Sequence, residues 1–261
     1  MRIVQCQRRD ANAMPFYAEI EGNTLRPLAT SPFSEGIRLK KGETIPLDEV
    51  TLLPPIVPSK IMCIGKNYRD HVKEMGGDAP PPEPLVFMKP SSSVIGPDVP
   101  IELPPLSERV EHESEMALVI RRRCRNVSEA EAAAVILGVT ALNDVTARDL
   151  QKRDGQWTRA KGFDTFCPIG PALAIGLDPR NLRVTSRVNG QTRQDGNTDQ
   201  LIFPVERLIA HISAVMTLYP GDIIATGTPA GVGPLLPGDT VEVEVEGVGV
   251  LSNPVVAANG A

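Results

Sequence analysis

With 261 residues and a formal net charge of −5 spread over interspersed acids and bases, the chain is long enough to bury a substantial core, as one large domain or as a main domain with a small partner. The charge pattern leaves no basic stripe for nucleic acid. No apolar run approaches the roughly 20 residues that span a bilayer, and the first ten residues lack the apolar stretch of a secretory signal, so a cytoplasmic protein with no membrane partner is expected. Four cysteines, Cys6, Cys63, Cys124 and Cys167, are too widely spaced for a metal-type pair and suit a reducing compartment. Cys63 lies in the apolar run Ile61-Met62-Cys63-Ile64 and reads as a small buried hydrophobe, not as a nucleophile. Twenty-five prolines and 22 glycines against few aromatics predict many short strands joined by ordered turns.

In chain order, residues 16–20 and 24–28 flank Glu21-Gly22-Asn23 and read as a hairpin. Three prolines among residues 54–58 can continue neither a helix nor a central strand, so a boundary is expected there. The segment before it, residues 1–56, carries no convergent chemistry. Residues 60–64 read as a strand, and residues 65–75 as a short helical pattern stopped by Gly76-Gly77. The proline-rich stretch 79–84 excludes regular structure, which puts that helix on a surface excursion. Its His71 and Glu74 are spaced i, i+3 and share a face, so the carboxylate can orient the imidazole and raise its basicity. The same pair also occurs on ordinary helix surfaces.

Residues 110–120 read Val-Glu-His-Glu-Ser-Glu-Met-Ala-Leu-Val-Ile. On a strand, Glu111, Glu113 and Glu115 share one face with Ala117 and Val119, while His112, Ser114, Met116, Leu118 and Ile120 share the other. An acidic row that runs into a buried face needs compensation, because desolvated carboxylates repel and are costly. A hard divalent cation such as Mg²⁺ is one answer, and a solvated strand end is the other. Next, Ser128 with Glu131 forms a capping-box pattern ahead of a helix over residues 132–137 that Gly138 ends. The apolar run 139–142 leads into Asn143-Asp144, which places Asp144 at a strand end, as a ligand or as a helix cap. Residues 155–161 read as a surface loop or as a mobile segment that carries Lys161.

Residues 182–188 turn at Asn189-Gly190, a strong hairpin signal. A second helix opens at Pro204 and lines up Val205, Leu208, Ile209, Ile212, Val215 and Met216. The glycine-rich stretch 227–233 lacks the Gly-Lys-Ser/Thr ending of a phosphate loop and reads as an ordered turn. In residues 240–246 valine alternates with Glu242, Glu244 and Glu246, which read as outward and solvated. Many strands, few helices and no regular βαβ spacing give a mainly β, α+β fold.

Six blocks in one order carry a resemblance: Gly65-Lys-Asn-Tyr-Arg-Asp-His-Val-Lys-Glu-Met75, Leu85-Val-Phe-Met-Lys-Pro90, Glu113-Ser-Glu-Met-Ala-Leu-Val-Ile120, Asn143-Asp-Val-Thr-Ala-Arg-Asp149, Lys161-Gly-Phe-Asp-Thr-Phe-Cys-Pro-Ile-Gly170 and Thr226-Gly-Thr-Pro-Ala-Gly-Val-Gly233. Over residues 57–257 they resemble the fumarylacetoacetate hydrolase superfamily, and residues 1–56 are similar to the small N-terminal domain of bacterial members often named 2-hydroxyhepta-2,4-diene-1,7-dioate isomerases. The resemblance implies a β-roll of mixed sheets, a homodimer, and Mg²⁺ or Mn²⁺ held by Glu113, Glu115 and Asp144. His71 and Glu74 match the family's water-activating pair on a lid. Lys161 matches the lysine facing the substrate, and Gln151 and Thr228 match polar substrate contacts. Glu111 falls outside the motif and stays an outer or an exposed group. His112 stands where an aromatic residue is more usual and is expected to point away from the metal.

The reaction so implied is hydrolysis of a C–C bond in an acylpyruvate- or fumarylpyruvate-type diketo acid, with His71 as general base and pyruvate leaving as its enolate. The same groups without the water give an isomerase of 2-hydroxy-dienoates or a decarboxylase of 2-oxo acids such as oxaloacetate. A non-catalytic cation-binding β domain is a third reading. The far end of the substrate is expected among Tyr68, Arg69 and the loop 76–84.

Overall fold

The computed structural model describes residues 1–10, 13–77 and 79–258, so that residue 78 of the loop 76–84 lies outside it. One long mixed sheet organises the molecule. In spatial order its strands are Ile45–Pro46, Thr24–Pro27, Phe16–Glu21, Arg2–Arg8, Cys167–Ala174, Ile136–Asn143, Ser114–Ile120, Ile223–Ala225, Ile61–Gly65 and Leu85–Lys89. Along this path all pairings are antiparallel except that of Ile223–Ala225 with Ile61–Gly65. A five-stranded sheet, Gln191–Asn197, Arg183–Val188, Thr240–Val245, Gly249–Ala257 and Ile101–Leu103, packs on one side. A small sheet of Thr146–Ala147, Val110–His112 and Gly233–Pro234 closes one end. The architecture is the mainly β, α+β roll expected from the sequence.

Strand alternation explains why Ser114–Ile120 sits at the centre. Met116, Leu118 and Ile120 share a core with Val184, Val243 and Leu251 of the five-stranded sheet and with Leu208 and Ile212 of the helix Val205–Val215. Ala117 and Val119 join Ile3, Ile61, Cys63 and Ile169 on the opposite face. Both faces are therefore dry, and any charge on this strand must be met by protein groups or by a ligand. The first strand continues the same sheet, with Arg2 opposite Ala174 and Ile3 opposite Leu173.

The two hairpins form as expected, Phe16–Glu21 with Thr24–Pro27 and Arg183–Val188 with Gln191–Asn197. Asn189 and Gly190 adopt φ of 52° and 74°, the left-handed pair that a two-residue turn requires. Glu242 and Glu244 accept from Arg187 at 2.7 and 2.9 Å, an outward ion-pair row and not a ligand set. Three details differ. Ser128 N–H and Oγ donate to Glu131 at 3.1 and 2.6 Å, but the turn they open is a 3-10 helix, Glu129–Val135, and residues 136–143 are strand. Gly138 does not end a helix; a Cβ there would lie 2.4 Å from the Ala174 carbonyl oxygen, so glycine permits the close approach of two strands. Val215 is exposed and Met216 lies beyond the helix end, so the apolar stripe stops at Ile212.

All four cysteines are free, and burial pushes the thiols of Cys6 and Cys167 up to about 12 and that of Cys63 upward as well. None of these three is an activated nucleophile. Among the described residues no helix is long and apolar enough to cross a membrane.

Candidate metal centre and active site

The register of two central strands builds the acidic trio. Ser114 pairs with Asn143 and Glu115 with Leu142, which brings the next residue, Asp144, beside Glu113. Asp144 N–H donates to the Glu113 carbonyl at 2.8 Å, and the Asn143 side chain accepts from Glu113 N–H at 3.0 Å. Glu113, Glu115 and Asp144 each offer an oxygen within 4.8 Å of the others, and all three residues are buried, at 4, 1 and 0 % exposure. Neither a solvated strand end nor a helix cap describes them. Asp144 instead takes Lys89 Nζ at 2.7 Å and Lys161 Nζ at 2.6 Å.

Compensation around the trio is uneven. Burial alone would raise the Glu113 carboxyl, but Lys161 and Arg148, both in direct contact, outweigh it and hold it well below the usual carboxylate range. Burial pushes Glu115 strongly upward, and the charges of Asp144 and Glu113 add to the effect. Glu115 accepts from Gly227 N–H at 2.8 Å but touches no cationic side chain among the described residues. A missing positive charge is therefore concentrated at Glu115, and three buried carboxylates form a hard, all-oxygen donor set. Those observations fit Mg²⁺ or Mn²⁺ and give no place to a soft metal. Lys161 is buried too; its desolvation is outweighed by Asp144 and Glu113, which raise its pKa and keep it an ammonium.

The trio forms part of the wall of a small cavity that is partly open to solvent. His71, Gln151, Lys161 and Thr228 line the same space. His71 Nδ1 lies 2.9 Å from Glu74, and since a carboxylate can only accept, Nδ1 carries the proton and Nε2 is the basic nitrogen. Glu74 stands behind the ring, with its second oxygen accepting from Gly231 N–H at 2.9 Å. The carrier helix, Arg69–Glu74, rests on Asn67, whose amide donates to the carbonyls of Phe203 and Thr226 at 3.1 and 2.8 Å. His71 is only 5 % exposed, so the excursion is docked over the cavity. Gln151 accepts from Arg148 at 2.6 Å. Thr228 donates to the Ser114 carbonyl at 2.9 Å and accepts from buried Gln194 at 2.7 Å.

Several groups were not legible as site residues. Arg148 bridges Glu111, Glu113 and Gln151; it stands four residues after Asp144, and the charge deficit of the acidic row was the available signal. Glu111, between the two alternatives left open, is buried and held by Arg148 and Arg109 at 2.6 Å each. Lys89 is fully buried at the end of Leu85–Lys89. Residues 155–161 are exposed at Gly155, Gln156, Thr158 and Arg159 and end on buried Lys161: Gly155 turns the chain between the helices Arg148–Asp154 and Thr158–Lys161. Trp157, in that turn, packs edge-on against Phe87 with centroids 5.1 Å apart. His112 faces away from the trio, with Nδ1 3.1 Å from Gln194. Tyr68 is buried, and Arg69 borders a separate hollow with Asp195 and Asp199, so neither lines this cavity.

Residues 60–256 match the family model described as fumarylacetoacetate (FAA) hydrolase C-terminal, and residues 1–55 match one described as Rv2993c-like, N-terminal. Human mitochondrial oxaloacetate tautomerase FAHD2A is 46% identical over 225 residues, covering 81% of this chain and 71% of that protein. The crystal structure of 5-carboxymethyl-2-hydroxymuconate delta-isomerase from Mycobacterium smegmatis superposes with a TM-score of 0.90 at 46% identity, over 98% of this chain and 100% of that one. Maleylpyruvate hydrolase from Sphingobium sp. SYK-6, in complex with manganese(II) and pyruvate, gives 0.81 at 30% identity over 99% and 100%. Register, buried acids and these likenesses lead to one conclusion, that the chain belongs to the fumarylacetoacetate hydrolase family.

Proposed function

We propose that the protein is a divalent-metal-dependent enzyme acting on 2-oxo acids through their enolates, and that its principal reaction is keto–enol proton transfer in an oxaloacetate-type acid. The observation that carries the reading is the His71–Glu74 pair at 2.9 Å, on a residue lining the cavity that holds the acidic trio. Held by Glu113, Glu115 and Asp144, Mg²⁺ or Mn²⁺ would supply a Lewis acid that polarises the carbonyl of a 2-oxo acid. His71 Nε2 accepts the proton from the carbon next to that carbonyl and gives a proton to the enolate oxygen, which forms the enol and returns the ring to its neutral state; the reverse order gives the keto form. Lys161 and Arg148 place fixed positive charge where negative charge collects on oxygen. Gln151 and Thr228 orient the carboxylate end, while Met75, Phe87 and Trp157 supply the apolar part of the wall.

The tautomerase and isomerase relatives, each 46% identical, support proton transfer as the main reaction. Hydrolysis of an acylpyruvate uses the same groups, with Nε2 accepting a proton from water that attacks the distal carbonyl, and the hydrolase bound to manganese and pyruvate supports it as the second reading. The family likeness also supports a homodimer, which light scattering tests.

The decay of enol-oxaloacetate absorbance, followed with Mg²⁺ and with EDTA, tests the proposal. Turnover is expected only with metal, and His71→Ala is expected to lower it roughly 10²-fold or more while Mg²⁺ still raises Tm. Full activity in EDTA, or an unchanged H71A variant, overturns it. Faster release of pyruvate from acetylpyruvate or fumarylpyruvate moves the assignment to hydrolysis. A Tm raised by Mg²⁺ with nothing added by oxalate, which at 100 times its Kd contributes about 2.7 kcal/mol, reduces the trio to a structural cation site.

A further inference from the structure

Three residues with basic side chains, Lys or Arg, line the cavity: Lys66, Arg148 and Lys161. Two are engaged by the protein's own acids, Arg148 by Glu111 and Glu113, and Lys161 by Glu113 and Asp144. Among the described residues Lys66 pairs with no carboxylate. It is not among the groups that contact the trio, and of the three it is the one whose charge is left free to meet an anionic ligand.

The backbone at Lys66 points the same way. Its φ of 57° lies in the left-handed region, which a residue bearing a Cβ occupies at a cost and which glycine or asparagine would occupy more readily. Both kinds of residue stand next to it, and each is fixed by packing: a Cβ on Gly65 would lie 2.8 Å from the Trp157 ring, and the Asn67 amide ties the loop to Phe203 and Thr226. A lysine kept in a strained conformation at a cavity wall has a conformational cost that local structure does not explain, as at ligand-binding sites. Lys66 lies between the strand Ile61–Gly65 and the helix Arg69–Glu74 that carries His71, whereas the acids of the trio lie on or directly beside the strands Ser114–Ile120 and Ile136–Asn143.

We infer that Lys66 binds the far carboxylate of a 2-oxo dicarboxylate and so makes dianionic substrates the preferred class, an inference that rests on the 2-oxo acid reading above. The ammonium selects by charge: a tail carrying a carboxylate gains a charge-assisted hydrogen bond, and a neutral tail leaves Lys66 without its partner.

The test compares oxaloacetate with its 4-methyl ester, which neutralises only the far carboxylate, at saturating Mg²⁺. The parent is expected to favour the diacid in kcat/KM by roughly tenfold or more, as for a hydrogen bond to a charged group. Lys66→Met is expected to collapse that ratio, mainly through a higher KM for the diacid, and Lys66→Arg to keep most of it. Retention of the parental ratio in K66M, or a parent that does not distinguish the two compounds, overturns the assignment of Lys66 and leaves the 2-oxo acid reading standing. If the parent turns over neither compound and oxalate gives the Mg²⁺-loaded protein no added thermal stability, both fall together.

Discussion

Glu113 and Glu115 lie two residues apart on one strand face, and their surroundings drive them in opposite directions. The Glu113 carboxyl is held low because Lys161 and Arg148 outweigh its burial, whereas burial, Asp144 and Glu113 raise Glu115. An unfolded glutamate titrates near about pH 4.3. Above that pH the folded, metal-free protein retains a proton on Glu115 that the unfolded chain has released, so this group makes stability fall as pH rises. Glu113 contributes with the opposite sign: its stabilisation is present above the unfolded value and is lost on acidification. Replacing Glu115 by Gln should therefore stabilise the protein in EDTA at neutral pH, by about 0.5–2 kcal/mol, with the gap closing below about pH 4.3. The Mg²⁺-induced rise in Tm should vanish in the same variant. Urea titrations across pH measure both effects, and a neutral or destabilised E115Q in EDTA would mean that this carboxylate is already compensated without a cation. The acidic row was readable in the sequence because strand alternation is local. Arg148, Lys89 and Lys161 were not readable as its counter-ions, because the contacts span 35, 55 and 48 residues, or 17 for Lys161 to Asp144.

The element that carries His71 is a six-residue helix, too short to be stable on its own. Its position is set by tertiary contacts at both ends, Asn67 on one side and the Glu74 contact with Gly231 N–H on the other. The i, i+3 spacing of His71 and Glu74 was legible because a helix brings such residues together. The docking was not, since Gly231 is 157 residues from Glu74. The same division separates the turn signals from the helix 132–137: Asn189-Gly190 set a hairpin locally, whereas pairing of Ile136 with Ile120 stops the helical turn at Val135 and draws the last two residues of the expected helix into a strand. Gly231 gives a test at this scale. Its φ is 104°, and a Cβ would lie 2.1 Å from the Arg193 carbonyl oxygen, a backbone atom that cannot swing away. Gly231→Ala is expected to cost about 1–3 kcal/mol and, by shifting the N–H that holds Glu74, to reduce kcat more than it reduces Mg²⁺ binding. Unfolding curves and a Mg²⁺ titration of Tm separate the two, and an active, unshifted G231A would show that Glu74 needs no such support.

At the scale of the molecule, the prolines at residues 54–58 and the two family models that meet near residue 55 describe where one sequence segment ends and the next begins. Folding units are set by shared core instead. Ile3 and Leu28 belong to the same buried cluster as Ile61, Ala117, Val119 and Leu173, and Phe33, Ile37 and Leu39 pack on it. The first strand also pairs with Cys167–Ala174, which in turn pairs with the strand that leads into Asp144. A chain lacking residues 1–55 would expose that apolar cluster and leave the Cys167–Ala174 strand with an open edge, the condition that promotes aggregation. The expectation is one cooperative calorimetric transition for the full chain, raised as a whole by Mg²⁺, because a cation held by Glu113, Glu115 and Asp144 would tie together strands whose Ala117 and Val119 face is covered in part by the N-terminal segment. Residues 56–261 expressed alone should bind the apolar dye ANS and lose the metal-dependent stabilisation. Two resolved transitions, or a soluble truncated protein whose Tm still rises with Mg²⁺, would instead make the first 55 residues an independent module and restrict the metal centre's support to the sheets around Glu113, Glu115 and Asp144.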